Sequence, residues 1–251
     1  MRLNNKVAII TGGSSGIGAA IAETYASEGA TVIIVNKNNP QNAIDLEKKI
    51  KQNKGRAKAF ICDISNKTEV EQLVRDVINQ FGQINILVNS AGTLVFKSFE
   101  EHTLDDWDTT INVNLKGAFL ISQAVVPHMK KQREGKIIFI SSLAAIRGVG
   151  QASAYSASKG GVLALAKSLV AELASYQINV NLITPGFTAT PMNQELRNDL
   201  NFKQQIKPAP SGTYVMDPKE LAQSAVYLAC DESKHVHGLD LIVDGGASAV
   251  Q

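Results

Sequence analysis

An α/β fold with one parallel sheet between two layers of helices is predicted by three observations along the 251 residues. Short runs rich in Val and Ile recur at regular intervals, and most do not alternate with polar residues, as is typical of strands buried on both faces. Longer segments with helical periodicity lie between these runs. Strand and helix therefore alternate throughout, which indicates one doubly wound domain over residues 1–251.

Seven apolar runs are predicted as strands. They are Val7–Ile10, Thr31–Val35, Lys58–Ile61, Ile84–Val88, Lys136–Ile140, Asn179–Ile183 and Leu241–Val243. Six periodic segments are predicted as helices. They are Ile17–Glu28, Asn42–Asn53, Thr68–Phe81, Trp107–Lys131, Ser156–Tyr176 and Pro218–Ala229. A capping box from Thr68 to Glu71 is expected to open the third helix.

The segment from Thr184 to Asp217 is rich in Pro and Gly and breaks this alternation. Loops of this length inside a domain are uncommon and often cover binding sites. We therefore predict a substrate flap at about residues 186–212, with one short helix near Asn193–Lys203.

Composition excludes several classes of protein. Lys and Arg number 25 against 23 Asp and Glu, and they form no long basic stripe, which argues against a nucleic-acid partner. No run approaches the roughly 18 apolar residues that cross a membrane. Two distant cysteines, Cys62 and Cys230, favour a reducing compartment. We expect a cytoplasmic protein.

The first strand leads directly into a glycine-rich turn, TGGSSGIG at residues 11–18, which opens the first helix. Glycines in this position allow a tight turn and let the backbone approach a pyrophosphate, which the helix N-terminus then binds. An ordinary strand-to-helix loop is the alternative interpretation. The flanking strand and helix favour a dinucleotide site.

The second strand ends in Asn36 and Lys37, where an acidic residue would repel a 2′-phosphate. A neutral residue followed by a lysine favours NADP(H) over NAD(H). The alternative is that Lys37 is a surface lysine in a turn.

Tyr155 and Lys159 are four residues apart in a predicted helix, so both side chains lie on one helical face. A nearby ammonium favours the phenolate and should lower the pKa of the tyrosine, which makes it a better general acid or base at neutral pH. The spacing alone is common on helix surfaces.

Eight motifs together resemble the short-chain dehydrogenase/reductase family over essentially the whole chain, in the form of about 250 residues. They are TGGSSGIG at 11–18, CDI at 62–64, NSAG at 89–92, NVN at 112–114, ISS at 140–142, YSASK at 155–159, PGFTATPM at 185–192 and DGG at 244–246. The resemblance implies a Rossmann-type sheet and a homotetramer.

The resemblance also implies a catalytic tetrad of Asn114, Ser142, Tyr155 and Lys159. Ser142, preferred to its neighbour Ser141, would stabilise charge on the substrate oxygen. Tyr155 would transfer the proton, Lys159 would lower the pKa of Tyr155 and hold the nicotinamide ribose, and Asn114 would position a water. Further cofactor contacts are predicted at Gly12, Ser14, Ser15, Ile17, Asn36, Lys37, Asp63, Ile64, Asn89, Gly92, Pro185, Gly186, Thr188 and Thr190.

These observations leave three functional hypotheses. The first is a carbonyl reductase for small ketones or 3-oxoacyl thioesters, and the second is a dehydrogenase of sugars, polyols or secondary alcohols. The third is a cofactor-binding regulator without catalysis, which the intact tetrad disfavours. An apolar pocket is expected from Leu143, Ala144, Ile146, Val149 and Phe187. An acidic carrier protein is the less favoured ligand of the basic residues Lys97, Arg147, Lys203 and Lys207.

No metal site is predicted. His235 and His237 lack a third ligand at suitable spacing and are expected to lie in an exposed turn. Trp107 is interpreted as a packing residue and Cys62 as a small buried apolar group.

Overall fold

The computed structural model describes residues 1–200, 208–212 and 215–250. Seven parallel strands form one sheet in the order β3-β2-β1-β4-β5-β6-β7. The strands are β1 (Val7–Thr11), β2 (Thr31–Asn36), β3 (Arg56–Ile61), β4 (Ile86–Asn89), β5 (Gly135–Ile140), β6 (Ile178–Pro185) and β7 (Asp240–Val243). The predicted fold class and all seven strands are confirmed.

Helices lie on both faces of the sheet. They are α1 (Gly16–Ser27), α2 (Pro40–Gln52), α3 (Lys67–Phe81), α4 (Leu104–Ile111), α5 (Gly117–Gln132), α6 (Ser153–Leu173), α7 (Gln194–Asn198) and α8 (Pro218–Ala229). The helix predicted as one segment at Trp107–Lys131 is divided, because a π-helical turn at Asn112–Lys116 separates α4 from α5.

Two apolar layers explain why the strands do not alternate. Ala8 and Ile10 of β1 face a layer built with α1, α2 and α8, whereas Val7 and Ile9 face a second layer built with α3, α5 and α6. Successive side chains of a strand point to opposite faces, so both faces of β1 must be apolar. The edge strand β3 departs from this pattern, with Ile61 55% exposed.

The predicted capping box of α3 is wrong. The helix begins one residue earlier, at Lys67, and Asn66 is its N-cap. The Asn66 Oδ1 accepts hydrogen bonds from the backbone N–H groups of Thr68 (3.0 Å) and Glu69 (3.4 Å). Asn caps a helix as well as Ser does and better than Thr, so the Asn takes the position from the nearby threonine.

Trp107 is a weaker packing residue than predicted, because it lies on α4 with 43% of its surface exposed. Cys62 is buried, as expected. None of the helices within the described ranges is long and apolar enough to cross a membrane.

The segment after β6 is only partly described. A 3-10 turn at Pro191–Asn193 leads into α7, which is the short helix expected near Asn193. Lys203, the predicted end of that helix, lies outside the described residues. Thr188 forms an isolated parallel bridge with Met216, which joins the two ends of the predicted flap.

We predict that Asn66→Ala lowers the free energy of unfolding by about 1 kcal/mol, because two N–H groups of α3 lose their acceptor. Thr68→Ala should cost less than about 0.5 kcal/mol, as expected for a surface position that does not cap the helix. Urea denaturation of both variants measures the difference. A larger loss of unfolding free energy in the Thr68 variant would support the capping box predicted from the sequence.

Candidate active site

The carboxyl ends of β1, β4, β5 and β6 lie along one edge of the sheet. The order in which the chain adds strands reverses between β1 and β4. After β1 the chain moves outward through β2 and β3, and it then returns to β4 on the other side of β1. Ligands of open parallel sheets bind in the crevice at such a point. Most predicted site residues lie just beyond these strand ends.

Two glycines of the glycine-rich turn combine a left-handed backbone with close neighbours. Gly12 has φ +63°, and a Cβ there would lie 2.7 Å from the Cα of Ala91. Gly16 has φ +52°, and a Cβ there would lie 3.1 Å from Cγ2 of Thr190. The turn is therefore held in close contact with the loops after β4 and β6.

The N-terminus of α1 fits an anionic group. Ser15 is the N-cap, but its side chain makes no capping hydrogen bond, so the first N–H groups of the helix keep their capacity to bind an external acceptor. The side chain of Ser14 is buried and accepts a hydrogen bond from Nδ2 of Asn36, which ties the turn to the end of β2. Ile17 packs against the core beneath.

Asn89, at the end of β4, has a buried Oδ1 without a hydrogen-bond partner, while its Nδ2 donates to Ser122 Oγ. A buried unsatisfied acceptor is costly and often marks a ligand site. Gly92, three residues further on, lies against Asn114, since a Cβ at Gly92 would be 3.4 Å from Asn114 Oδ1. The glycine turn, the free helix terminus and this acceptor together fit a dinucleotide.

Lys37 and Asp63, two of the predicted cofactor contacts, form an ion pair. The Lys37 Nζ lies 2.6 Å from Asp63 Oδ2, and this hydrogen bond raises the pKa of Lys37. Burial alone would raise the pKa of Asp63, but hydrogen bonds from Lys37 and Ser65 hold it below its ordinary value. Ile64 is buried beside them.

Tyr155 lies in the first turn of α6, and Ser142 follows β5. Burial raises the pKa of Tyr155, and a hydrogen bond with the Ser142 side chain opposes this increase. The neighbouring Ser141 is buried, and its Oγ has no partner. Of the two serines, Ser142 is therefore the one that contacts the tyrosine.

Lys159 is a buried ammonium, only 5% exposed. Its Nζ donates to the carbonyl of Ile140 at 2.8 Å and lies 5.7 Å from the centre of the Tyr155 ring. Burial lowers the pKa of Lys159 to about 8. The lowering of the tyrosine pKa by this lysine stays a prediction, because burial dominates at Tyr155 in the structure.

Asn114 lies in the π-helical turn between α4 and α5, and it is buried. Its Oδ1 accepts from Thr93 N–H (2.8 Å), and its Nδ2 donates to the Thr93 carbonyl and to Ser158 Oγ, both at 3.0 Å. Ser158 adjoins Lys159 in α6. Widened turns of this kind are frequent at functional sites.

The start of the predicted flap is organised by Asn193, which sequence reasoning missed. Its Oδ1 accepts from Thr190 N–H (3.1 Å) and from Arg197 Nε (3.0 Å), and its Nδ2 donates to the Thr188 carbonyl (2.8 Å). The spacing of Asn193 from Thr190 is that of a capping box, a signal present in the sequence.

Other backbone contacts place Pro185 and Gly186 beside β7, where Pro185 pairs with Val243 and Gly186 N–H donates to the Val243 carbonyl (2.9 Å).

Thr11 is a second residue that sequence reasoning missed. Its Oγ1 accepts from the N–H groups of Ser90 (3.1 Å) and Ala91 (3.2 Å), and it thereby couples the ends of β1 and β4.

The described residues include only part of the predicted substrate rim. Ile146 and Val149 are exposed, whereas Leu143 and Ala144 are buried. Lys97 forms an ion pair with Asp106 at 2.7 Å, which leaves it less available to an acidic partner. Lys203 and Lys207 lie outside the described residues.

No group of three His, Cys, Asp or Glu side chains suited to a metal occurs in the described part of the chain. His235 is exposed, as expected, but His237 is half-buried, and its Nε2 lies 3.1 Å from Asn179 Nδ2. Burial and the nearby Lys136 lower the pKa of His237. This histidine belongs to the packing at the opposite edge of the sheet.

Comparison with known proteins gives consistent relatives. The family described as short chain dehydrogenase matches residues 6–201. The chain is 38% identical to the 3-oxoacyl-(acyl-carrier-protein) reductase of Thermotoga maritima, covering 98% of this chain and 99% of that protein. It is 38% identical to the D-threitol dehydrogenase of Mycolicibacterium smegmatis, covering 98% of this chain and 94% of that protein.

A solved structure has the same architecture. The gluconate 5-dehydrogenase of Burkholderia cenocepacia J2315, in complex with NADP and tartrate, superposes with a TM-score of 0.94 at 33% identity and covers 100% of this chain and 98% of its own. Fold, site geometry and relatives agree, and the chain belongs to the short-chain dehydrogenase family as an NAD(P)-dependent oxidoreductase.

Proposed function

We propose that this protein reduces a ketone or related carbonyl compound to a secondary alcohol, with NADP(H) favoured over NAD(H). The observation that carries the proposal is the convergence of Ser142, Tyr155 and Lys159 beyond the end of β5. A bound nicotinamide dinucleotide supplies or accepts the hydride. The chain binds and orients the dinucleotide and the substrate, and its side chains move the proton.

Each member of the proposed tetrad has a defined role. Ser142 hydrogen-bonds the substrate oxygen and stabilises the negative charge that develops there. Tyr155 donates its hydroxyl proton to that oxygen during reduction and removes it during oxidation. The Lys159 ammonium stabilises the resulting phenolate and holds ribose hydroxyl groups. Asn114 positions a water that returns the proton.

Most residues proposed to hold the dinucleotide follow the strand ends, and Tyr155 and Lys159 lie on α6. The pyrophosphate is assigned to the glycine turn and α1, the adenosine to the ends of β2 and β3, and the nicotinamide to the ends of β4 and β6. The residues proposed to contact the dinucleotide are Gly12, Ser14, Ser15, Ile17, Asn36, Lys37, Asp63, Ile64, Asn89, Gly92, Tyr155, Lys159, Pro185, Gly186, Thr188 and Thr190.

A dehydrogenase of polyols or sugars is the second candidate, and the similarity to a threitol and a gluconate dehydrogenase supports it. Similarity to a 3-oxoacyl reductase and the exposed apolar side chains of Ile146 and Val149 support carbonyl reduction. We assign substrate selection to the flap at about residues 186–212, whose first half is fixed by Asn193.

We also propose a cytoplasmic homotetramer, whose mass light scattering would measure. The free cysteines Cys62 and Cys230 support a reducing compartment. Trp107 on α4 and Phe119 on α5 are 43% and 44% exposed, so both are available to a subunit interface.

Assays of the purified protein with NADPH and NADH, against ketones, 3-oxoacyl thioesters and, in reverse, polyols, separate the candidates.

Tyr155→Phe should keep its affinity for the dinucleotide and lose kcat by at least about 100-fold, since the proton donor is removed. Tyr176→Phe is the matched control. Near-normal kcat in the Tyr155 variant would exclude this mechanism, and cofactor binding without turnover on any substrate would favour a regulator.

We expect kcat for carbonyl reduction to fall as pH rises through about 8, the pKa to which burial lowers Lys159. Above this pH the neutral amine no longer stabilises the phenolate. Lys159→Arg keeps its charge, so its residual activity should not decline there. A wild-type profile that stays flat between about pH 7 and about pH 9 would contradict this role.

Lys37→Ala should raise KM for NADPH by about fivefold and change KM for NADH little, because only NADPH carries the 2′-phosphate. Lys49→Ala is a matched control, since Lys49 is 57% exposed and pairs with Glu23 at 2.7 Å, much as Lys37 pairs with Asp63. Steady-state kinetics with both cofactors decide the point. Equal effects on both would remove Lys37 from the 2′-phosphate site.

A further inference from the structure

Lys37, the residue expected to bind a 2′-phosphate, already has an anionic partner. Its ammonium donates to Asp63 Oδ2 at 2.6 Å. Glu69 adds a second negative charge near Lys37, and both carboxylates raise the pKa of the lysine. A phosphate that approaches this point therefore meets a cation whose charge is largely compensated.

Asp63 is the fixed member of the pair. Its Oδ1 accepts hydrogen bonds from the N–H (2.9 Å) and hydroxyl (2.7 Å) of Ser65, and its own N–H donates to Glu69 Oε2 (2.8 Å). The Asp63 side chain is 19% exposed, whereas that of Lys37 is 59% exposed. Because a lysine has a flexible four-carbon stem, Lys37 is the partner that can move.

We propose that Asp63 sets the discrimination between NADP(H) and NAD(H) by competing with the 2′-phosphate for Lys37. The inference rests on the proposed dinucleotide function. A ligand with a 2′-phosphate gains Lys37 only by weakening the contact with Asp63, whereas a ligand without it leaves the pair intact. The preference for NADP(H) is thus the difference between two ion pairs, and it is smaller than Lys37 alone would give.

A different explanation is direct repulsion between Asp63 and the phosphate, which would not involve Lys37. The two explanations differ in a double-mutant cycle. Competition requires that the effect of removing the Asp63 charge depends on Lys37, whereas simple repulsion acts equally with and without the lysine.

The test is the binding of adenosine 2′,5′-bisphosphate and adenosine 5′-monophosphate to the full chain, measured by calorimetry. Asp63→Asn should tighten the bisphosphate relative to the monophosphate by about two- to fivefold, the range of partly exposed ion pairs. Any change in adenine binding affects both nucleotides and cancels in the ratio. Asp106→Asn is the matched control, since Asp106 is 17% exposed and pairs with Lys97 at 2.7 Å away from this site, and it should not change the ratio.

The same substitution in a Lys37→Ala background should leave the ratio unchanged. An equal change in both backgrounds, or no change with Lys37 present, would overturn the proposal. If the wild-type chain binds neither nucleotide, the dinucleotide function itself fails. Binding of both with an unaltered ratio refutes only the role of Asp63.

Discussion

Parallel hydrogen bonding between β1, β4, β5 and β6 requires that the chain leaves all four strands at the same edge of the sheet. The glycine turn, Asn89, Ser142 and the Pro185–Gly186 segment each follow one of these strands. Their proximity is therefore a property of strand direction and order, and it does not depend on contacts among the side chains themselves. Buried Val and Ile on both faces hold that order in place.

The approach of α6 to the turn between α4 and α5 brings Asn114 into contact with Ser158, the neighbour of Lys159. Gly161 allows this approach, because a Cβ there would lie 2.7 Å from Cδ2 of Leu115 in the widened turn. Asn114 can then reach Ser158, and Lys159 can reach the end of β5. A larger side chain at Gly161 would require the Leu115 side chain to move.

Burial is what makes Lys159 and Tyr155 chemically distinctive. Removing solvent disfavours both the ammonium and the phenolate, and so it lowers the pKa of the lysine and raises that of the tyrosine. The Lys37–Asp63 pair differs from these two groups, since it is partly exposed to solvent. The net charge of +2 is informative about neither the Tyr155 and Lys159 groups nor the Lys37–Asp63 pair.

The sequence by itself determined the fold class, the strands and most helices, because unbroken apolar runs and helical periodicity reflect burial directly. It also placed the candidate residues at strand ends through motif order. The structure showed that Asn66 caps α3 and that Asn193 binds Thr188 and Thr190, in each case through neighbours in the sequence. Only the tertiary structure decided that a π-helical turn interrupts the predicted long helix. The Lys37–Asp63 contact likewise joins residues 26 positions apart. Such pairings depend on which segments meet in space, and local sequence patterns carry no information about that distance.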